Sequence, residues 1–204
     1  MMIKKENNPF TTNSYIVIDQ GSAVFIDPVG DAASFAEDLE KNQATCLAIV
    51  YTHGHYDHIA AAEVFEQRFG VPVYIHTLEK EMLYIPEKNL SVYFSRNFSI
   101  EESIPVVTFQ DGEELVFGSL TFKVHHTPGH TAGSVCLEQG SDLFTGDTLF
   151  EGSIGRTDFP GSDPKAMQQS LKKLKTLDPA LCIHPGHGLS STLAEEWATN
   201  PYMR

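Results

Sequence analysis

The sequence predicts an α+β protein in which two β-sheets pack together and helices flank them. Three observations carry that expectation. The 204 residues divide into a β-rich half with helices and then a second β-rich half with helices. No low-complexity linker and no clear repeat separates the halves. One loop in the first half, Thr52-His53-Gly54-His55-Tyr56-Asp57-His58, joins a strand-like run to a helix-like run and concentrates chemistry at one point. The length suits a single domain over residues 1–204.

The elements follow from local pattern. Asn13 to Asp19 and Ala23 to Asp27 read as two strands, with a turn at Gln20-Gly21-Ser22 that makes them a hairpin. Pro28 and Gly30 end the second strand. Asp31 is placed to cap a helix whose apolar Phe35 and Leu39 fall four apart. Cys46 to Tyr51 is an apolar strand leading into the histidine loop, and a helix runs from Ile59 through Phe69 until Gly70 stops it. Val71 to Ile75 is a strand, and Thr77 to Tyr84 a short helix. Residues 85–103 show little periodicity; their aromatics Tyr93, Phe94 and Phe98 either anchor a loop or form a rim over a site.

Beyond residue 105 the β pattern returns. Strands are expected at Val106–Phe109, Glu114–Phe117, Leu120–His125, Ser134–Glu138 and Asp142–Thr145. Asp163-Pro164 opens a helix in which Met167, Leu171 and Leu174 keep helical spacing. Leu181 to Ile183 is a last strand, and a final helix covers about 192–199.

Composition bounds the function. The chain is 41% hydrophobic and 20% charged, with 14 Lys and Arg against 27 Asp and Glu, a net charge of −13. Such acidity disfavours nucleic acid and anionic membrane surfaces as partners. The start has no apolar run after Lys4-Lys5, unlike a secretory leader, and no stretch reaches transmembrane length. Cys46, Cys136 and Cys182 are far apart and embedded in apolar runs. Buried free thiols in a reducing, cytoplasmic setting are expected.

Imidazoles and carboxylates crowded at His53, His55, Asp57 and His58 would repel unless something used them. A divalent metal is the simplest user, with zinc, iron and manganese all suited to these donors. His53 and His55 alternate, so both leave an extended segment on one side, and Gly54 lets the backbone bend between them. Asp57 and His58 lie past the bend and face a second ion, unless Asp57 is only a helix cap and His58 only a surface histidine. Three more candidates sit beside glycine at strand ends: His130, Asp147 and His187. Five His and two Asp fit two adjacent ions, as two three-ligand sets and one bridging carboxylate. His76, His125, His126 and His184 are left for structural or supporting roles.

The ordered motif His53-x-His55-x-Asp57-His58, then His130, Asp147 and His187, resembles the metallo-β-lactamase superfamily. The resemblance implies a four-layer αββα sandwich with metals at one edge between the sheets. It assigns His53, His55 and His130 to a first metal, Asp57, His58 and His187 to a second, and Asp147 to a bridge. Gly146 to Phe150 and Gly152 to Asp158 are similar to the glyoxalase II group, in its short, single-domain form. That group hydrolyses S-lactoylglutathione, so the resemblance implies a thioester as small-molecule substrate. It also implies two divalent ions, zinc first, and attack by a metal-bound hydroxide. Asp57 and Asp147 then share in catalysis, and Arg156 matches a basic position of the substrate site. The family's basic helical extension beyond the last metal histidine has no counterpart, and Leu189 stands where the family usually has tyrosine.

Rival readings share the fold. A persulfide dioxygenase would use one iron on His53, His130 and Asp147, and the segment Gly155 to Phe159 resembles that group as well. A lactonase is a third reading. A true β-lactamase fits less well, given the start of the chain and the aspartate at Asp147. A flavin-linked diiron reductase normally carries an acidic residue at the position of His55. The sequence does not fix an oligomeric state.

Overall fold

The computed structural model describes residues 1–6 and 8–204. The first sheet contains β1 (Met2–Lys5), β2 (Ser14–Asp19), β3 (Ser22–Ile26), β4 (Thr45–Val50), β5 (Val73–His76) and β6 (Val106–Phe109), side by side in chain order. β1 to β3 pair antiparallel, and β3 to β6 pair parallel. Parallel neighbours need crossovers. They are supplied by α1 (Ala32–Lys41) after β3 and by α2 (Tyr56–Ile59) and α3 (Ala62–Phe69) after β4.

The second sheet begins as an antiparallel meander of β7 (Glu114–Phe117), β8 (Leu120–His126), β9 (Val135–Gln139) and β10 (Asp142–Gly146). A small ribbon follows, β11 (Leu149–Phe150) against β12 (Ser153–Ile154). Then come α4 (Pro164–Leu174), β13 (Cys182–Pro185), β14 (Ser191–Thr192) and α5 (Leu193–Thr199). β13 lies parallel to β10, giving the order β14-β13-β10-β9-β8-β7.

Side-chain alternation builds the layers. Tyr15 and Val17 of β2, with Val24 and Ile26 of β3, face the second sheet and join Phe122, Val124 and Phe144 there. Ile16, Ile18, Ala23 and Phe25 point the other way, onto Phe35 of α1 and Phe65 of α3. β4 keeps both faces apolar through a register shift between Ala23 and Val24 of its partner, which sets Cys46 and Ala48 on opposite sides. On the far face of the second sheet, Leu143 and Ile183 pack against Met167, Leu171 and Leu174 of α4. The result is the four-layer αββα sandwich. Phe25 is fully buried and packs edge-on against Phe35, Phe65 and Phe69 at 4.9–5.9 Å between centroids. Truncating it to alanine would cost about 3–5 kcal/mol.

The local expectations meet the structure unevenly. Asp31 caps α1 by accepting from the Ala33 N–H, and Asp163 caps α4 from two residues. Gly70 ends α3 in the left-handed conformation that glycine adopts without strain. The helix expected from Ile59 to Phe69 is two pieces, because α2 turns away at Ala60-Ala61. Asp57 is not a cap: it lies in the first turn of α2, and His55 holds the capping position. Residues 77–83 form a tight 3₁₀ helix. The cysteines are free, but only Cys46 and Cys136 are buried, while Cys182 is half-buried. Among the described residues no helix is long and apolar enough to cross a membrane.

Candidate metal centre

All seven predicted residues converge where strand ends of the two sheets meet. His53 to His58 follow β4, His130 lies between β8 and β9, Asp147 follows β10 and His187 follows β13. Open strand ends at one edge are where loops can aim side chains at a shared point. The sheets are tied beside the site, since Val135 donates its N–H to the Thr52 carbonyl at 3.0 Å. Asn13 secures the His187 loop by donating to the carbonyls of Pro185 and Gly188, both at 2.9 Å.

The candidate ligand atoms fall into three groups, each within 4.8 Å internally: His53, His55 and His130; His53, His58 and Asp147; and Asp57, His58 and His187. Asp147 stands between the sets. Its Oδ2 is 3.5 Å from His130 Nε2 and 3.7 Å from His187 Nε2, and its Oδ1 is 3.3 Å from His58 Nε2. Gly186 makes this approach possible: a Cβ there would lie 2.3 Å from Asp147 Oδ1.

Supporting contacts fix which ring nitrogen faces inward. His53 Nδ1 meets Thr52 Oγ1 at 3.2 Å, His130 Nδ1 donates to the Arg156 carbonyl at 2.8 Å, and His187 Nδ1 donates to the Thr11 carbonyl at 3.2 Å. Each leaves Nε2 toward the centre. His55 presents Nδ1 instead, 2.9 Å from His130 Nε2.

Asp27 holds His58, and it was not legible as a site residue. Its Oδ2 accepts from His58 Nδ1 at 2.9 Å and from Thr52 Oγ1 at 2.6 Å, and its Oδ1 accepts from the Thr52 N–H at 2.7 Å. Its backbone sits at φ 46°, a region that aspartate tolerates better than most residues. The local signal was an acidic residue closing an apolar strand, which a turn explains equally well.

The donors fit divalent ions. Among the described residues His53 Nε2, His58 Nε2 and Asp147 Oδ1 are buried without a hydrogen-bond partner, which costs free energy unless a cation satisfies them. Burial pushes His55 down to about 3 and His53 well below the usual histidine range, leaving both neutral with a lone pair to give. Burial also opposes charge on His58, but Asp147, Asp57 and Asp27 outweigh it and raise its pKa well above normal. Burial would raise Asp147, yet His58, His130 and His53 hold it well below the usual carboxylate range. Three carboxylates therefore call for positive charge at one point.

A model of the metallo-beta-lactamase superfamily matches residues 7–187. The chain belongs to that superfamily. Among relatives, the hydroxyacylglutathione hydrolase GloC of Haemophilus influenzae is 34% identical over 199 residues, covering 93% of this chain and 91% of that protein. The crystal structure of the BLEG-1 B3 metallo-beta-lactamase shares 35% identity at a TM-score of 0.90, over 100% of this chain and 99% of that one. TTHA1623, solved in a di-iron-bound form, shares 35% identity at a TM-score of 0.85, over 98% and 99%. The superfamily membership and the His/Asp groups make this a metal-binding protein of a hydrolase superfamily.

A cavity of about 340 Å³ opens onto this cluster of His and Asp residues. His55, Asp57, His130 and Asp147 form its floor, and Tyr93, Phe94, Arg156 and Phe159 its mouth. The aromatics of residues 85–103 thus divide. Phe98 packs against the core and lies 5.2 Å from Tyr56 between centroids, while Tyr93 and Phe94 are exposed at the rim. Arg156 reaches the mouth but is engaged: it donates to both carboxylate oxygens of Asp158 at 2.8 and 2.9 Å and lies over the Phe159 ring at 4.2 Å. Two of its five donors are used there. Leu189 is exposed. The four other histidines stand outside the ligand groups. His125 pairs with Glu138, His184 pairs with Asp142, and His76 stacks on His126 at 4.4 Å.

Proposed function

We propose that the chain is a dinuclear metal-dependent thioester hydrolase acting on a small acyl thioester such as S-lactoylglutathione. The observation that carries this reading is the position of Asp147, whose two oxygens face His130 of one ligand set and His58 and His187 of the other. His53, His55 and His130 would hold one ion, Asp57, His58 and His187 the other, with Asp147 shared. Zinc is the expected metal; the di-iron form of TTHA1623 makes iron the alternative to test. Two divalent ions would supply Lewis acidity and hydroxide near neutral pH.

The residues do the rest by position. Asp57 faces the cavity beside His187, 3.2 Å from its Nε2, where it can orient a nucleophile as well as bind. The cavity floor takes the acyl carbonyl, and the open mouth lets a thiol group project past Tyr93 and Phe94. A thiolate with a pKa of about 8.5 leaves without a strong general acid. The relative named hydroxyacylglutathione hydrolase supports glutathione as that thiol. We read residues 1–204 as one catalytic domain, acting in a reducing, cytoplasmic setting in keeping with its free cysteines. The net charge of −13 favours a small molecule over nucleic acid or anionic lipid as partner.

The test is a paired assay on protein loaded with zinc or iron. Hydrolysis of S-lactoylglutathione with no oxygen consumption is expected. Oxygen uptake with glutathione persulfide, dependent on iron and without thioester hydrolysis, would transfer the function to a persulfide dioxygenase.

A further inference from the structure

Glu79 is fully buried on the 3₁₀ helix Thr77–Leu83, and among the described residues it forms no ion pair. A carboxylate in that position costs free energy that an apolar side chain would avoid. Its oxygens are nevertheless both used. Oε2 accepts the Gly54 N–H at 2.8 Å, and Oε1 accepts the Gly133 N–H at 2.7 Å. Gly54 lies between His53 and His55; Gly133 lies three residues after His130. The two loops belong to different sheets.

The contact is built at both ends. A Cβ on Gly54 would come 2.6 Å from Met82 Cβ, and one on Gly133 would come 2.7 Å from Glu79 Cγ. Only glycine brings each backbone N–H close enough. An ionised carboxylate accepts on two oxygens and brings no donor of its own. Glutamine of the same shape would set an NH₂ against one of the two N–H groups. Burial pushes the Glu79 carboxyl up, and the Gly54 and Gly133 N–H groups and the Thr131 hydroxyl oppose that.

We infer that Glu79 is a positioning residue which sets the spacing of His53 and His55 against His130 by bracketing their two loops. The inference rests on those three residues holding an ion, and not on the identity of the substrate. Asp57 and His58 lie further along, in α2, and His187 lies on another loop. Among the described residues none of the three is hydrogen-bonded to Glu79, so the effect is expected to fall on one ion.

Zinc affinity measured by chelator competition tests this in two backgrounds. His187→Ala isolates the His53/His55/His130 group, and the double variant His55→Ala with His130→Ala isolates the other. Glu79→Gln is expected to weaken zinc roughly ten- to a hundredfold in the first background, the range for supporting contacts at metal sites. It should leave the second background unchanged. Equal weakening in both, or none in either, would assign Glu79 to general stability and overturn the inference. Wild-type protein that binds no zinc would defeat the metal-centre reading itself. Amide hydrogen exchange on ion-free wild-type protein needs no variant to fold. The Gly54 and Gly133 N–H groups should exchange slowly and at matching rates, and fast exchange at either would also overturn the bracket.

Discussion

Asp147 Oδ1 lies 3.3 Å from His58 Nε2, and among the described residues neither atom meets a partner in good hydrogen-bond geometry. Two buried atoms that face each other without bonding mark a place for a third. If the Asp147 carboxylate is shared by two ions, Asp147→Ala should lower metal content at both sites, whereas His187→Ala should empty mainly the second. Elemental analysis at saturating zinc reads this directly, with about two ions per chain expected for the wild type. Equal losses in the two variants would sink the bridging role.

Asp27→Asn should act through His58. The carboxylate accepts from His58 and twice from Thr52, all buried, so the amide leaves at least one donor unmet. A destabilisation of about 2 kcal/mol is expected in urea unfolding of ion-free protein. Zinc at the Asp57/His58/His187 group should weaken about tenfold or more. A variant with unchanged zinc affinity would reduce Asp27 to a turn residue.

The two ends of that contact show what a sequence reveals. His53, His55, Asp57 and His58 were readable because four ligand-type residues in six positions have few uses other than a metal. His130, Asp147 and His187 were readable because each sits beside glycine at a strand end. Asp27 and Glu79 were not, since each touches the site through backbone or ring N–H groups distant in sequence. The paired ribbon at Leu149–Phe150 and Ser153–Ile154, and the strand Ser191–Thr192, are too short to show a period. Two packed sheets with flanking helices were legible because each half of the chain alternates β-rich and helical runs; the αββα layer order came with the family resemblance.

Arg156→Ala should weaken an anionic thioester more than a neutral one. The guanidinium is exposed and already shared with Asp158, so the effect on kcat/KM is up to about fivefold, in keeping with solvent-screened charge pairs. Asp158→Asn, which frees the guanidinium, should move the same preference the other way. Identical losses on both substrates with either variant would make the pair a structural strut.

Ion-free protein should lose stability on mild acidification through His76. Burial, with His126 stacked against it, depresses His76 to about 4. Between its ordinary value of about 6.5 and 4, the unfolded chain takes up a proton that the folded chain refuses. The contribution is therefore complete above pH 6.5 and falls as the pH drops toward 4. His76→Asn keeps an acceptor for the Leu78 N–H, 3.3 Å away in the wild type, and removes the titration. Chemical denaturation across this range should show a flatter pH slope for the variant than for the wild type.

The seven candidate ligands come from both halves of the chain, four before β5 and three after β8. Ions held there would act as rivets across the seam between the sheets. The sandwich could not open along that seam without first surrendering its metal. The lifetime of the loaded protein would then be a clock set by ion escape, and free zinc would slow it by rebinding before the seam opens.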